Sequence, residues 1–151
     1  MKILIATDGS EYSDEAVKKV CDFVRIDEAT ALKVISVAEP VAPSAPFGVS
    51  DEYYIQVREA LEKAAVTDVD NAFELVTECV AGRTASVEKA TLSGKPAEAI
   101  LEAADNWRAD LIVVGSHGRG FFGRMLMGSV SSAIVKHAEC SVLVVRKETG
   151  E

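Results

Sequence analysis

The sequence predicts an α/β protein built on a doubly wound, five-stranded parallel sheet. Short apolar runs rich in β-branched residues alternate with longer segments of helical period, and this alternation is typical of βαβ units. Right-handed crossovers between five such strands give most simply the strand order 3-2-1-4-5, with helices on both faces. A length of 151 residues, 48% of them hydrophobic, corresponds to one domain. We expect this domain to cover residues 1–147, with a short C-terminal tail over 148–151.

The first strand and the first helix follow from two adjoining patterns near the N-terminus. Residues 3–6 are apolar and predict a strand, and Ser10 and Ser13 are candidate helix caps. The helix after them has one apolar face, made of Ala16, Val17, Val20, Cys21 and Val24. Residues 31–37 predict the second strand. Three prolines and a glycine between residues 39 and 50 then indicate an irregular segment, which could form a lid.

A long second helix is expected from about residue 51 to residue 80. Gly82 follows it and suits the turn at its end. Val69 and Phe73 fall outside the expected apolar stripe and blur it. The stripe itself is expected to consist of Tyr54, Val57, Leu61, Ala64, Ala65, Ala72, Val76 and Cys79.

The second half of the chain repeats the alternation of strands and helices. Residues 86–92 predict strand three, and Gly94 with Pro96 indicates a tight turn and the first position of a helix. This third helix is expected to bury Ala97, Ile100, Leu101, Ala104 and Trp107. A fourth strand, a fourth helix and a fifth strand are expected at residues 111–114, 129–137 and 142–145.

Composition argues against several classes of function. A formal net charge of −8 disfavours nucleic acid as a partner, because its phosphates would be repelled by the average surface. No run approaches the roughly 18 apolar residues that span a bilayer, and the N-terminus does not have the pattern of a signal peptide. We therefore expect a cytoplasmic protein without a membrane partner. Cys21, Cys79 and Cys140 form no metal-ligand spacing and are expected to be free thiols in a reducing compartment.

The segment after strand four has the spacing of an anion-binding loop. Gly115 and Gly118 are separated by two residues, nine more precede Gly128, and Ser129 then begins a helix. Glycines let main-chain N–H groups approach a phosphate, and the first N–H groups of a helix lack intrahelical partners. The spacing matches neither GxxxxGK[ST] nor GxGxxG.

Charge and topology place this loop beside the loop that follows strand one. Residues 111–138 contain no acidic residue and carry three cationic ones, Arg119, Arg124 and Lys136. In doubly wound sheets ligands bind where the strand order reverses, here beside the ends of strands one and four. Residues 6–10 and 115–129 should therefore face one crevice, and the local charge favours a polyphosphate.

The pattern Gly-x2-Gly-x9-Gly-Ser resembles the fingerprint of the ATP-binding branch of the universal stress protein family. The resemblance extends over nearly the whole chain, through ILIATDGS at 3–10, GKP at 94–96, ADLIVVG at 109–115 and VLVV at 142–145. It implies a Rossmann-like fold of the adenine nucleotide alpha hydrolase type. It also implies that the crevice takes ATP, or else ADP or AMP.

The resemblance implies a role for each matching position. Asp8 would lie beside the nucleoside or its metal, and main-chain atoms of Val37 would meet the adenine edge. Ribose and phosphates would be held by Gly115, Gly118, Gly128, Ser129, Val130 and Ser131. The further candidates for nucleotide contact are Ala6, Thr7, His117 and Arg119.

A divalent metal ion is expected to accompany the nucleotide. Asp8 beside a triphosphate is repulsive unless its carboxylate accepts from hydroxyl groups or shares Mg²⁺ or Mn²⁺ with the phosphate oxygens. Asp8 is therefore the one candidate metal ligand, and no preformed metal cage is expected.

The resemblance also implies a homodimer that pairs the last strand, from Val142 to Val145, with its symmetry mate. Members of the family often have proline at the start of that strand, where this chain has Cys140 and Ser141. The departure affects no binding residue, but it restores a main-chain donor at a sheet edge.

Simpler interpretations stand beside these. Asp8 could be only a turn or N-cap residue, and Arg119 and Arg124 could be only solvated. His117 has no Ser/His/Asp spacing around it and is interpreted as a loop residue, not as a catalytic base. Other residues are interpreted as packing groups: Phe121, Phe122, Met125, Leu126 and Met127 in the loop, and Tyr53 and Tyr54 in helix two.

Three functions remain open on the sequence. The favoured one is an ATP-binding regulatory module of the stress response that acts as a homodimer with protein partners still to be identified. A slow ATPase or a relative of nucleotidyl-transfer enzymes is the second, although no general base or arginine finger stands out. An interaction protein that binds no nucleotide is the third, and the intact glycine spacing argues against it.

Overall fold

The computed structural model describes residues 1–41, 50–119 and 127–147, which form five strands and four helices in alternation. The predicted succession of elements is confirmed, and each strand is one or two residues longer than expected. Within the described ranges no helix is both long and apolar enough to cross a bilayer. The elements are β1 (Lys2–Thr7), α1 (Glu11–Phe23), β2 (Ala31–Ala38), α2 (Asp51–Cys79), β3 (Ser86–Ser93), α3 (Pro96–Trp107), β4 (Leu111–Gly115), α4 (Ser129–His137) and β5 (Ser141–Val145).

The five strands form one parallel sheet in the predicted order β3-β2-β1-β4-β5. Strand β1 is central, and Ile3 lies opposite Leu32 of β2 on one side and Leu111 of β4 on the other. Every residue of β1 after Lys2 is buried. Because the chain reverses its direction of winding at β1, the loops after β1 and β4 leave the same edge of the sheet side by side.

Helices cover both faces of the sheet, as a parallel sheet requires. Helices α1 and α2 pack over the face that carries Ile3 and Ile5. Helices α3 and α4 pack over the opposite face, against Leu4 and Ala6. The alternation of side chains along β1 thus divides the core into two layers, one on each side of the sheet.

Ser10, Pro96 and Gly82 lie at or next to helix ends as expected, whereas Ser13, the other cap candidate, lies inside α1. The Ser10 hydroxyl accepts a hydrogen bond from the N–H of Ser13 at 3.3 Å and caps α1. Ser50 caps α2 in the same way, and Pro96 occupies the first turn of α3. Gly82, with φ of 80°, lies in the turn after α2.

The first half of the expected apolar stripe of α2 is only half-buried, at Tyr54, Val57 and Ala64, and Leu61 is 39% exposed. Tyr53, which was interpreted as a packing residue, is 56% exposed and contacts the ring of Tyr54. Val69, which was expected to blur the stripe, is only 2% exposed and lies in the core. A helix of 29 residues spans about 43 Å, whereas a strand of eight residues spans about 27 Å, so only part of α2 can cover the sheet. The buried stripe is Ala65, Val69, Ala72 and Val76.

The expectation of three free thiols is wrong for two of them. Cys21 of α1 and Cys79 of α2 form a disulfide, with their Cα atoms 6.3 Å apart. The packing of α1 against α2 brings the two together over a sequence separation of 58, which no local motif could reveal. Cys140 is a free, partly buried thiol, and burial raises its pKa.

We predict that the protein, denatured without reductant, has one reactive thiol per chain. After reduction it should have three. A loop of 58 residues gives a chain-entropy stabilisation of about 4 kcal/mol, so reduction should lower the free energy of unfolding by up to that amount. Thiol titration and thermal melts with and without reductant measure both effects. Cys140→Ser is the control and should melt as the wild type does. Three reactive thiols before reduction would contradict the disulfide.

Candidate functional site

A crevice of about 550 Å³ opens at the carboxyl edge of the sheet, where the strand order reverses. Its volume is within the range of small-molecule sites, which is roughly 300–1,000 Å³. The ends of β1, β2 and β4 form its floor, and α2, α3 and the start of α4 form its walls. The crevice therefore lies at the position that the topology predicted.

All twelve residues predicted to form the site line this one crevice, although they come from four separate parts of the chain. The topology brings the end of β1 next to the loop that follows β4, and the end of β2 completes the set. Their contact with a ligand stays a prediction. The twelve are Ala6, Thr7, Asp8, Val37, Gly115, His117, Gly118, Arg119, Gly128, Ser129, Val130 and Ser131.

The loop between β1 and α1 is held by its own side chains. The Thr7 hydroxyl donates to the Ser13 hydroxyl at 3.0 Å and accepts from the N–H of Gly9 at 3.1 Å. Asp8 Oδ1 accepts from the N–H of Ser10 at 3.1 Å, which closes a turn. Gly9 adopts a φ of 69°, a left-handed conformation that a glycine takes without strain.

Asp8 also reaches the second loop. Its Oδ2 accepts from the N–H of Arg119 at 3.0 Å, so one carboxylate bridges the loops after β1 and β4. A Cβ at Gly118 would lie 2.7 Å from the same Oδ2, so a glycine is needed for this close approach. The interpretation of Asp8 as a turn residue is confirmed, whereas the N-cap of α1 is Ser10 and not Asp8. Turn formation leaves a ligand role for Asp8 open.

Two glycines of the loop serve main-chain packing. A Cβ at Gly115 would lie 2.7 Å from the carbonyl carbon of Tyr12 and 2.9 Å from the nitrogen of Ser13. Strand β4 therefore runs against the main chain of α1 with no room for a side chain. A Cβ at Gly128 would meet Ser116 O and the His117 Cα at 3.4 Å, a milder contact. The sequence reasoning attributed these glycines to phosphate access alone and missed this packing.

The start of α4 presents main-chain donors to the crevice. Gly128 is the N-cap residue, and its own N–H donates to Ser116 O at 2.7 Å. The N–H groups of the next three residues, 129–131, have no acceptor within the helix. The Ser131 hydroxyl donates to Gly115 O at 2.6 Å, which fixes the helix start to the end of β4. This arrangement suits an anion at the positive end of the helix dipole.

Asp68 of α2 is a site residue that the sequence reasoning missed. Its carboxylate lines the crevice, the residue is 8% exposed, and its Oδ1 accepts from Nη2 of Arg119 in an ion pair. Burial raises the pKa of the Asp68 carboxyl, Arg119 opposes that change, and the carboxylates of Asp8 and Asp14 add to it. The sequence held one signal, a carboxylate on the otherwise apolar stripe of α2. Arg119 is therefore not merely solvated.

His117 is held within the loop by its neighbours. Its Nδ1 lies 3.0 Å from the Ser116 hydroxyl, and its ring lies 5.1 Å from that of Tyr12. These contacts agree with the interpretation of His117 as a loop residue. Arg124 and the predicted loop packing residues 121–126 lie outside the described residues, as does most of the proposed lid, 42–49.

The crevice lining at the end of β2 and on α2 and α3, which we call the apolar half, is mainly apolar apart from the carboxylates of Glu39 and Asp68. Val37 and Ala38 at the end of β2 face small or aliphatic residues of α2 and α3 across it. The main members of this apolar wall are Ile35, Val37, Ala38, Leu61, Ala64, Ala65, Pro96 and Ile100. In the part of the chain that the structure describes, no group of three or more His, Cys, Asp or Glu side chains is placed to hold a metal ion.

The chain matches the model of the universal stress protein family over residues 1–146. It is 34% identical over 155 residues to the universal stress protein MJ0531 of Methanocaldococcus jannaschii. The match covers 99% of this chain and 84% of the relative. Its structure is similar to that of hypothetical protein MJ0577, with a TM-score of 0.78, 26% identity and coverage of 99% and 97% of the two chains.

Two further solved structures share the fold at lower identity. One is a universal stress protein in complex with cAMP, with a TM-score of 0.64, 21% identity and coverage of 96% of each chain. The other is a family member from Arabidopsis thaliana with AMP bound, with a TM-score of 0.63, 16% identity and coverage of 99% and 93%. At these identities the likeness shows the fold alone.

We predict that Gly115→Ala lowers the free energy of unfolding by about 1–3 kcal/mol, because the new Cβ would overlap main-chain atoms of α1 that cannot move independently. Gly128→Ala is the matched variant and should lose less, since its Cβ would lie 3.4 Å from its nearest neighbours. Urea unfolding followed by circular dichroism measures both. Equal losses in the two variants would show that the close approach at Gly115 is not a constraint.

Proposed function

The chain belongs to the universal stress protein family, and from this premise we propose that it is an ATP-binding regulatory protein of the stress response that acts as a homodimer. The observation that carries the proposal is the division of one crevice into an apolar half and a half lined by main-chain donors. Adenine nucleotides have the same division, with a planar apolar base at one end and an anionic phosphate chain at the other.

The base would occupy the apolar half. Val37 and Ala38 end β2 there, beyond its last residue paired with β1, and the family resemblance implies that main-chain atoms of Val37 meet the base edge. Ala64 and Ala65 of α2 are small enough to leave room for a planar ring, while Ile100 of α3 closes the other side. Hydrophobic burial of the ring would supply much of the affinity.

The phosphates would occupy the half beside α4. Main-chain N–H groups of residues 129–131 and the loop glycines Gly115, Gly118 and Gly128 would surround them. Thr7 and Asp8 lie between the two halves, where a ribose would sit, and the Asp8 carboxylate can accept from its hydroxyl groups. Ala6 and His117 complete this part of the lining.

A divalent ion fits this arrangement as a companion of the phosphates. Asp8 and Asp68 both line the crevice near the proposed phosphate position, and a polyphosphate beside two carboxylates requires neutralisation. Asp8 would share Mg²⁺ or Mn²⁺ with the phosphate oxygens, because carboxylate and phosphate oxygens are the ligands that these ions prefer. The ion would lower the charge repulsion between ligand and site.

Two relatives in fold support an adenine nucleotide, since one holds cAMP and the other AMP. The specific choice of ATP rests on the glycine spacing and on the family resemblance that it carries. We favour a regulatory role over catalysis. The described polar groups beside α4 hold the loops together or are proposed to bind phosphate. The cytoplasmic location remains a prediction.

The proposed dimer rests on the exposed edge at β5. This strand borders β4 on one side only, and three of its residues, Val142, Leu143 and Val144, are partly exposed and apolar. An apolar edge strand invites pairing with another chain. A two-fold partner strand would cover it and close the association at two copies.

We predict that the protein binds ATP with Mg²⁺ and that Ala64→Phe weakens this affinity by at least about tenfold, because the ring would fill the apolar half of the crevice. Ala60→Phe is the matched control, one helical turn away and exposed, and should bind ATP as the wild type does. Calorimetry measures the affinity, and chromatography of denatured protein identifies any nucleotide that copurifies. Absence of any adenine nucleotide binding by the wild type would refute the proposal.

We predict that the wild type sediments as a dimer at micromolar concentration and that Val142→Lys shifts it toward monomer, because a charge would oppose burial of this edge. Val87→Lys is the matched control on β3, the opposite edge of the sheet, and should leave the dimer intact. Monomeric wild type at tens of micromolar would rule out pairing through β5.

A further inference from the structure

The ion pair between Asp68 and Arg119 joins three separate parts of the crevice. Asp68 lies on α2, Arg119 lies in the loop after β4, and both side chains pack on Gly9 in the loop after β1. A Cβ at Gly9 would overlap Asp68 Oδ1 and Arg119 Nη2, and its φ of 69° also favours glycine. The ion pair therefore occupies space that only a glycine at position 9 leaves open.

Arg119 is held at both of its ends. Its main-chain N–H donates to Asp8 Oδ2 at 3.0 Å, and its Nη2 donates to Asp68 Oδ1. An arginine whose main chain and guanidinium are both bonded keeps few of its rotamers, although its side chain is 55% exposed. The guanidinium therefore has a defined position in the crevice, which Arg119 lines.

The ion pair leaves Arg119 most of its hydrogen-bond donors. A guanidinium has five N–H groups, and within the described residues one of them is engaged, by Asp68 Oδ1. The other four can meet an anion while the ion pair stays intact. Residue 119 also starts close to the proposed phosphate position, because a Cβ at Gly128, the N-cap residue of α4, would lie 3.9 Å from the nitrogen of Gly118.

The charge of Asp68 by itself opposes an anionic ligand. Its carboxylate is buried, and it adds to the negative charge of Asp8 and Asp14 nearby. On charge alone, Asp68 would weaken the binding of a phosphate. Its direct contact with Arg119 has the opposite effect, because it fixes a cationic group beside the ligand position.

We propose that Asp68 is a positioning residue, which holds the guanidinium of Arg119 ready to bind the phosphate groups of the nucleotide. The proposal rests on the proposed function and deepens it. Asp68 acts through Arg119 and makes no contact of its own with the ligand. Because the long side chain is ordered before the ligand arrives, less conformational entropy is lost on binding, and the affinity is higher.

Calorimetric titration of Asp68→Asn with ATP and Mg²⁺, and separately with adenosine, tests this. The amide keeps the shape of the side chain and removes its charge. ATP affinity should fall roughly three- to tenfold, which corresponds to ordering one long side chain on binding. Adenosine has no phosphate, so it should bind the variant and the wild type equally, whereas a general loosening of the crevice would weaken both ligands.

The conditions and the control separate position from charge. At about 0.5 M salt the Debye length is about 4 Å, so the loss of long-range repulsion between Asp68 and the phosphates contributes little. Asp70→Asn is the matched control, because it removes the same charge from the same helix, where Asp70 forms a 2.8 Å ion pair with Lys89. It should bind both ligands as the wild type does. Circular dichroism confirms that each variant is folded.

The same substitution in an Arg119→Gln background identifies the route. Arg119→Gln should lower ATP affinity by at least about tenfold, and adding Asp68→Asn should then cause no further loss. The proposal would be overturned by unchanged or tighter ATP binding in either single variant, by equal losses for ATP and adenosine, or by a further loss in the double variant. In each of these cases ATP binding by the wild type would still support the proposed function. Failure of the wild type to bind ATP would refute both.

Discussion

The crevice depends on one carboxylate, because Asp8 joins two loops that are far apart in the sequence. Its two oxygens accept from the N–H of Ser10 at 3.1 Å and from the N–H of Arg119 at 3.0 Å, across a separation of 111 residues. Pairing of β1 with β4 aligns the strands but does not by itself fix the loops after them. The hydrogen bonds of Asp8 bring these loops together, so its role in the turn and its proposed role beside a nucleoside are compatible.

A short hydrogen-bond network extends from this crevice to the edge of the sheet. Ser116 donates its N–H to Val145 O at 2.7 Å, and Ser116 O accepts from the N–H of Gly128 at 2.7 Å. The Ser131 hydroxyl then connects α4 to Gly115 O. The loop proposed to hold phosphates is therefore bonded to the end of β5, the proposed dimer edge. If a ligand rearranged the loop, these hydrogen bonds would transmit the movement to β5. The proposed dimer edge could then respond to whether the crevice is occupied.

Local patterns predicted the features that local forces determine. The bounds of α4, the cap at Ser10 and the strand order all follow from periodicity, capping chemistry and the handedness of crossovers. The exposed start of α2 and the Cys21–Cys79 disulfide could not be predicted in this way, because they depend on where a long helix leaves the sheet and on which helices meet. Asp68 was missed for the same reason. The partner of a buried carboxylate is determined by tertiary packing, which the local sequence does not show.

The electrostatics of the polar half bear on the proposal that the protein is a nucleotide switch and not an enzyme. Asp8 accepts two main-chain hydrogen bonds, and its remaining acceptor sites are those proposed to meet ribose hydroxyls and the metal ion. Arg119 is paired with Asp68, which offsets part of its charge. Main-chain N–H groups at α4 would bind a phosphate in its ground state as well as in a transition state, which would yield affinity without acceleration. The groups described at this end of the crevice therefore suit the holding of a ligand, as the proposed regulatory role requires.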